Sequence, residues 1–357
     1  MSSKKMVLSV ALLGAVASAP SFAQSSVTLY GDLDAGLLYT NRTPGANAGQ
    51  NAGHQFSFMD TGLTPTVFGL KGSEDLGGGL KANFQLESGI SIANGALSHS
   101  NGNYFGRQAW VALDGGFGEA KLGLQFSPFF LAIDGSDPRN LAHFGSGIVS
   151  YVDNVLATGL FNSNAISYTS PTIAGLTGSA MLALGGQAGN FQAGRQYSGS
   201  LTYQNGGLMI NAALYDGNSG GTAITPLSST VAFVGRTVGV GYTFGALTGK
   251  ASFTSYKVAG SFSNNVYSGG LDYQLNPALD LNGGVWFTSD RNNTANHSVM
   301  GAVGTVYSLS KRTQLYGQVA MVNNHGAMNS GFGLSDNTVF GLPGTTVGVD
   351  VGVRHAF

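Results

Sequence analysis

The chain of 357 residues contains no cysteine, which removes disulfides and thiolate metal sites from consideration. Charge is scarce. Asp, Glu, Lys and Arg make up 9% of residues, against roughly 25% in an ordinary soluble domain. The 16 basic and 17 acidic residues nearly cancel, which argues against nucleic acid as a partner, because that contact needs a basic face. Beyond the N-terminal segment no run approaches the 18 or so consecutive apolar residues of a helical membrane span. Glycine, by contrast, is abundant at 56 residues, about twice the usual share. Aromatics at 10% and hydrophobics at 43% are too frequent for a disordered chain. Low charge, high glycine and no long hydrophobic helix leave a barrel whose strands alternate their faces.

The N-terminus reads as an export signal over residues 1–23. Lys4 and Lys5 form a positive start, Met6 to Val16 a short apolar stretch, and Ser21-Phe22-Ala23 a small-residue cleavage site. An apolar stretch that short does not cross about 30 Å of hydrocarbon. The spacing therefore predicts cleavage after Ala23 and a mature chain, 24–357, that begins at Gln24.

Strand periodicity follows. In Leu80 to Ser88 the even positions are apolar or small and the odd ones polar, and in the last segment Val347, Val349, Val351 and Val353 share one face. About sixteen such segments recur, close to the 9–11 residues a membrane strand needs. They fall near 27–39, 55–70, 80–89, 104–113, 119–127, 164–170, 176–184, 195–204, 207–216, 231–243, 247–257, 265–275, 279–289, 297–308, 313–322 and 346–357. Tight connections, such as Gly72–Gly79 and Asp114–Gly118, alternate with long ones rich in Gly, Asn and Ser. That sorting predicts an all-β, transmembrane, 16-stranded antiparallel β-barrel with short periplasmic turns and long external loops. A soluble barrel has no reason to sort its loops by length. The longest connection, 128–163, carries Phe129, Phe130, Leu131, Ile133, Phe144 and Ile148 as apolar anchors, and loops of this length are usually functional or disordered.

Several motifs then become specific. They are Ser26-Val27-Thr28-Leu29-Tyr30-Gly31-Asp32, Gly69-Leu70-Lys71-Gly72-Ser73-Glu74-Asp75-Leu76-Gly77, Phe84-Gln85-Leu86-Glu87-Ser88-Gly89, Phe105-Gly106-Arg107-Gln108-Ala109, Tyr168-Thr169-Ser170-Pro171, and the end Val351-Gly352-Val353-Arg354-His355-Ala356-Phe357. Taken in order, the sequence resembles the general-diffusion porins of Gram-negative outer membranes, in the branch typical of betaproteobacteria. The resemblance implies a homotrimer with one pore per subunit, and a third external loop that folds inward and narrows the barrel. It implies a passage for small polar solutes and ions, set in outer-membrane lipid, with no cofactor. Phe357 is similar to the aromatic end by which such chains are recognised by the barrel-assembly machinery.

In that family, basic wall residues face acidic residues on the third loop. Arg107 matches one basic position, with a rim arginine as the alternative. Lys81 and Glu87 lie on the polar face of their strand. Asp134, Asp137 and Asp153 are candidates for the acidic side, and each is equally an ordinary turn or cap carboxylate. The departures matter more. Val67, Leu124, Phe161 and Ser167 stand where the family usually carries Arg or Lys. They predict a pore less anion-selective than its relatives and with a more apolar wall, unless Arg139 or Arg195 restores the field. Nothing points to catalysis. The six histidines have no metal-ligand spacing, and no Gly-x-Ser-x-Gly elbow is present. The other open class is a non-conducting adhesin or receptor that works through loops such as 217–230 and 323–345.

Overall fold

The computed structural model describes residues 26–47, 49–220, 231–335 and 338–357; the expected signal segment lies outside them. Seventeen strands form one antiparallel sheet in chain order. They are β1 (Ser26–Thr40), β2 (Gln55–Met59), β3 (Val67–Gly77), β4 (Leu80–Gly89), β5 (Gln108–Gly115), β6 (Gly118–Phe126), β7 (Phe161–Thr169), β8 (Leu176–Ala183) and β9 (Gln196–Asn205). The chain continues through β10 (Leu208–Gly217), β11 (Phe233–Phe244), β12 (Leu247–Val258), β13 (Ser263–Asn276), β14 (Leu279–Asp290), β15 (His297–Ser308), β16 (Thr313–His325) and β17 (Gly344–Ala356). The first and last strands pair, from Asp32 opposite Ala356 to Thr40 opposite Gly348. The sheet thus closes and leaves no edge, as a hydrocarbon environment demands.

Closure yields sixteen staves because β2 and β3 share one. β2 pairs with the outer half of β1 and β3 with its inner half. The expected single strand 55–70 is therefore broken at residues 60–66, which leave the wall. Gly62 and Pro65 explain the break, since a proline cannot donate to the ladder. The expected turn Gly72–Gly79 is much tighter. Ser73 to Gly77 belong to β3, and only Gly78 and Gly79 connect it to β4.

Burial alternates along the strands as the sequence pattern requires. In β11, buried and exposed residues alternate from Phe233 to Gly241. The outward set is largely apolar. Leu29, Val238, Leu271, Val285, Val303 and Val319 all face outward, the reverse of a soluble sandwich and the arrangement of a wall that meets lipid. Among the described residues no helix is long and apolar enough to cross a membrane. The core sits inside the barrel. It is formed by two short helices in the longest loop, α1 (Pro128–Ser136) and α2 (Gly147–Val155), packed on the inner face of β8 to β14.

Candidate functional site

The third external loop, the long connection 128–163 between β6 and β7, is built from local capping. Ser127 accepts a hydrogen bond from Phe130 N at 3.1 Å and donates to Gly159 O at 2.5 Å, so one side chain starts α1 and closes the loop. Pro128 occupies the first helical turn, where its missing N–H costs nothing. Ser146 caps α2. Between the helices, Asp137 accepts from the backbone N–H groups of Arg139, Leu141 and Gly147 at 2.9, 3.0 and 2.7 Å. Burial pushes its carboxyl up, and these three donors and Arg139 work against that shift. Asp137 is thus a turn carboxylate, buried and closed to solutes.

The loop is fixed to the wall by an aromatic cluster. Phe129 lies 6.1–6.3 Å, ring to ring, from Tyr151, Tyr215, Phe233 and Tyr256, and all five are essentially inaccessible. The wall makes room with glycine. A Cβ at Gly235 would meet the Phe129 ring at 2.6 Å, and one at Gly239 would meet Ser136 at 2.3 Å. Polar pins add direction: Asn211 donates to Ala132 O at 2.7 Å, and Asn264 to Asn154 at 2.8 Å. Of the expected anchors, Phe129, Phe130, Ile133, Phe144 and Ile148 are buried, whereas Leu131 is exposed.

Arg139 belongs to this scaffold. Its Nε donates to Asn282 at 2.8 Å, Nη1 to the carbonyls of Phe144 and Gly145 at 2.6 and 2.8 Å, and Nη2 to Gln318 at 2.6 Å. Gln318 in turn donates to Gly62 O and to Asp350, each at 3.0 Å. The excursion 60–66 is held from below by Asp34, which accepts from Leu63 N and Thr64 N at 2.7 Å and from the Tyr316 hydroxyl at 2.6 Å. The eighth external loop, which joins β16 to β17, also docks inward. Gly145 N donates to Phe332 O at 2.7 Å and Leu334 N to His143 O at 3.0 Å, while Asp153 accepts from Gly331 N at 3.2 Å. Burial holds the Asp153 carboxyl well above its usual range.

Between the third loop, the excursion 60–66, the connection before β5 and the facing ends of β6 and β7 lies a cavity of about 520 Å³. Leu63, Phe130, Ile148, Leu160, Phe161 and Leu334 give it an apolar lining; Arg107, Asp134, His99 and His143 are its main polar groups. Arg107 stands just before β5, and its Nε binds Glu87 at 2.9 Å. The Tyr30 hydroxyl donates to the other Glu87 oxygen at 2.9 Å, and the guanidinium lies 5.4 Å from the Phe161 ring centre. Burial, with His99 and Arg107 adding to it, pushes the His143 imidazole well below its ordinary range, so the ring is neutral at pH 7.

The structure thus brings together Arg107, Glu87, Phe161 and Asp134, and sends the other candidates elsewhere. Lys81 lies on the same inward row as Gln85 and Glu87 but at the far, short-turn end of β4, opposite Asp75 and Asp114. Val67 also faces inward, opposite Gly89, and is covered. Leu124 does not face the pore. It pairs with Ala109, which pairs with Leu86, and Leu86 with Leu70 and exposed Leu29, all in the outward row. Leu124 shares its face with exposed Leu122, and the inward residue beside it is Gln125, which accepts from Ser167 at 2.5 Å; the register irregularity opposite Gly123–Gln125 adds its extra residue on β7. Arg195 stands at the outer rim, over the Tyr197 ring and 3.8 Å from Asp216. Phe357 pairs through its backbone with Gly31.

A family profile described as "Gram-negative porin" matches residues 9–327. Outer membrane porin protein 32 of Delftia acidovorans is 30% identical over 99% of this chain and 100% of its own length. Major outer membrane protein P.IB of Neisseria gonorrhoeae is 31% identical over 87% of this chain and 91% of its own. Among solved structures, the anion-selective porin from Comamonas acidovorans superposes with a TM-score of 0.76 at 28% identity, covering 94% of this chain and all of that one. The closed barrel, the inward loop and these likenesses converge: the chain belongs to the Gram-negative porin family, non-catalytic outer-membrane β-barrels for passive diffusion of small solutes and ions.

Proposed function

We propose that solute choice in this porin is made at the cavity between the third loop, the excursion 60–66 and the ends of β6 and β7, and that its anion preference is weaker than that of its relatives. The observation that carries this reading is the state of the inward arginines and of Lys121; the inward lysines Lys71, Lys81 and Lys250 have no ion-pair partner among the described residues, and Lys250 donates to Asp137 O and Asn140. Arg107 is paired with Glu87, Arg354 with Asp32, and Lys121 with Glu119, while Arg139 is spent on four oxygen acceptors. A matched pair leaves a dipole rather than a free charge, so Arg107 adds little net positive field at the cavity it borders. The apolar lining adds a dehydration cost for any ion that enters. Asp134 supplies the acidic side, and Phe161 and Ser167 hold positions expected from the resemblance to be basic.

The mature protein starts at Gln24, assembles as a trimer, and uses Phe357 in recognition by the assembly machinery. Reversal potentials in a potassium chloride gradient across planar bilayers test the selectivity claim. A potential close to zero is expected; a clear chloride preference overturns it. Liposome swelling with small sugars distinguishes a conducting pore from a barrel that serves only as an adhesin.

A further inference from the structure

Two histidines that stand a whole hairpin apart in sequence meet across strands. His297 opens β15, His325 closes β16, and the register sets them directly opposite each other. Their rings stack with centres 4.5 Å apart and 15° between the planes. Both side chains point away from the lumen. Ser298 and Asn324, beside them on their strands, are buried on the inner side. His297 shares its outer face with exposed Val303, and His325 with exposed Val319 and Met321.

The pair is arranged to offer lone pairs. His297 Nδ1 lies 3.2 Å from Thr294 O. A carbonyl only accepts, so Nδ1 carries the proton and donates it there, and Nε2 keeps its lone pair. A backbone carbonyl behind the ring is a usual way to orient a metal-binding imidazole. Among the described residues no side-chain hydrogen bond ties down the His325 ring, and a half-turn about its χ2 presents either nitrogen to its partner. The frame behind both rings is fixed. Asp290 N donates to Asn296 O at 3.0 Å, and Asn296 Oδ1 accepts from Ala327 N at 2.9 Å. These bonds tie the connection before His297 to the residues just after His325.

We infer that His297 and His325 form a binding site for a transition-metal dication, Cu²⁺ most tightly and Zn²⁺ or Ni²⁺ less so. Imidazole suits these ions, and affinity along the divalent series peaks at copper. Two nitrogens on one ion stand ~3 Å apart when each bond is about 2.0–2.1 Å, so the stacked rings need to close by only ~1.5 Å at one edge. Calcium and magnesium fit poorly, since they take oxygen ligands. Among the described residues no third histidine or carboxylate completes the pair, which leaves the remaining positions on the ion to water. Arg291, exposed two residues beyond the Ser289 that faces His297, repels any cation and so favours the ion with the strongest bonds to imidazole. The bound ion clips β15 to β16 at the root of the eighth loop, the segment that docks on the third loop through Phe332 and Leu334.

The test is titration of the folded, tag-free protein in detergent with copper chloride, read by ultrafiltration and electron paramagnetic resonance. One ion per chain with two nitrogen ligands is expected, displaced by Zn²⁺ and unaffected by Mg²⁺. Two ligands on one frame reinforce each other, so His297→Gln or His325→Gln alone should weaken Cu²⁺ retention roughly a hundredfold. Equal binding by wild type and the His297→Gln, His325→Gln double variant overturns the inference, as does a spectrum with a single nitrogen. An ion that binds only the folded barrel also raises its unfolding temperature. Cu²⁺ should therefore shift the heat-modifiable gel transition of wild type and leave that of the double variant in place; the same shift in both places the ion elsewhere and overturns the pair. Wild-type conductance without metal shows that the variants are folded.

Discussion

Replacing Arg139 with methionine tests whether the third loop is a fixture or a gate. The substitution keeps most of the chain length and removes a cation that donates to Asn282, Phe144, Gly145 and Gln318. A hydrogen bond from a charged donor is worth about 1.5–3 kcal/mol, and an orphaned buried acceptor costs about 1–3 kcal/mol. The losses do not add in full, because the variant no longer desolvates a cation and water from the passage reaches some acceptors. Removing one partner of a buried ionic cluster costs about 3–5 kcal/mol net. Against that stand Phe129, Ile133, Ile148, Tyr151 and Val155, all buried, each worth about 1.5–3 kcal/mol.

The apolar anchors win. Both helices stay on the wall, and the segment from Pro138 to Ser146, with the docked part of the eighth loop, comes loose. Single-channel recording should show a higher mean conductance with rapid flicker, and heat-modifiable mobility should show an intact barrel. Arg139→Lys, which keeps the charge but loses the fork, should fall between the two. A quiet current at wild-type conductance in Arg139→Met would refute this account of how the loop is held.

Three further outcomes follow from the same geometry. Glu87→Gln frees the Arg107 charge beside the cavity, so reversal potentials should move toward chloride; no movement would mean that Arg107 does not face the permeating ion. Gly239→Leu places side-chain atoms where Ser136 already sits, its Cβ 2.3 Å from that of Ser136. It should cost about 1–3 kcal/mol by overpacking, push α1 into the passage and reduce conductance, with wild-type conductance as the refuting result. Asp153, pushed well above the usual carboxylate range, binds a proton more tightly when the eighth loop is docked than when it is released. Docking is therefore strongest at low pH and weakens as pH rises from the ordinary carboxylate range through the raised value. Protease cleavage in the eighth loop should increase over that window, and Asp153→Asn should abolish the dependence; the same slope in the variant would rule out Asp153 as the titrating group.

Alternation made most of the wall legible. The expected segments 80–89 and 297–308 coincide with β4 and β15, because a strand with lipid on one side and a packed lumen on the other has only one consistent register. The failures occur where one residue changes the phase or leaves the ladder. Segment 55–70 looked continuous, yet Gly62-Leu63-Thr64-Pro65 carried the two strongest breaker residues. Tyr104 to Gly106 lie outside β5, consistent with their poor alternation. The helices of the third loop had a readable start in Ser127-Pro128, an N-cap followed by proline at the first helical position, and the expected loop missed it.

The interior was less legible, and the reason is physical. Period two reports which residues share a face and is silent on what the inner face meets. Tyr215, Phe233 and Tyr256 point into the barrel, where a water-filled lumen would demand polar residues, and only the arrival of Phe129 from more than eighty residues upstream explains them. The same limit applies to charge. Arg139 was a candidate source of positive field, and its acceptors come from its own loop, β14 and β16. Leu124 counted as a missing arginine, yet it lies two residues from outward Leu122 in unbroken register with β5 and faces outward with it. Whether a charge lines a passage depends on its phase relative to every bulge before it and on its partners across the barrel, and neither is a local property of the chain. What an arginine lost from one stave does to selectivity therefore depends on whether the remaining cations are free, and in this barrel the one beside the cavity, Arg107, is paired with Glu87.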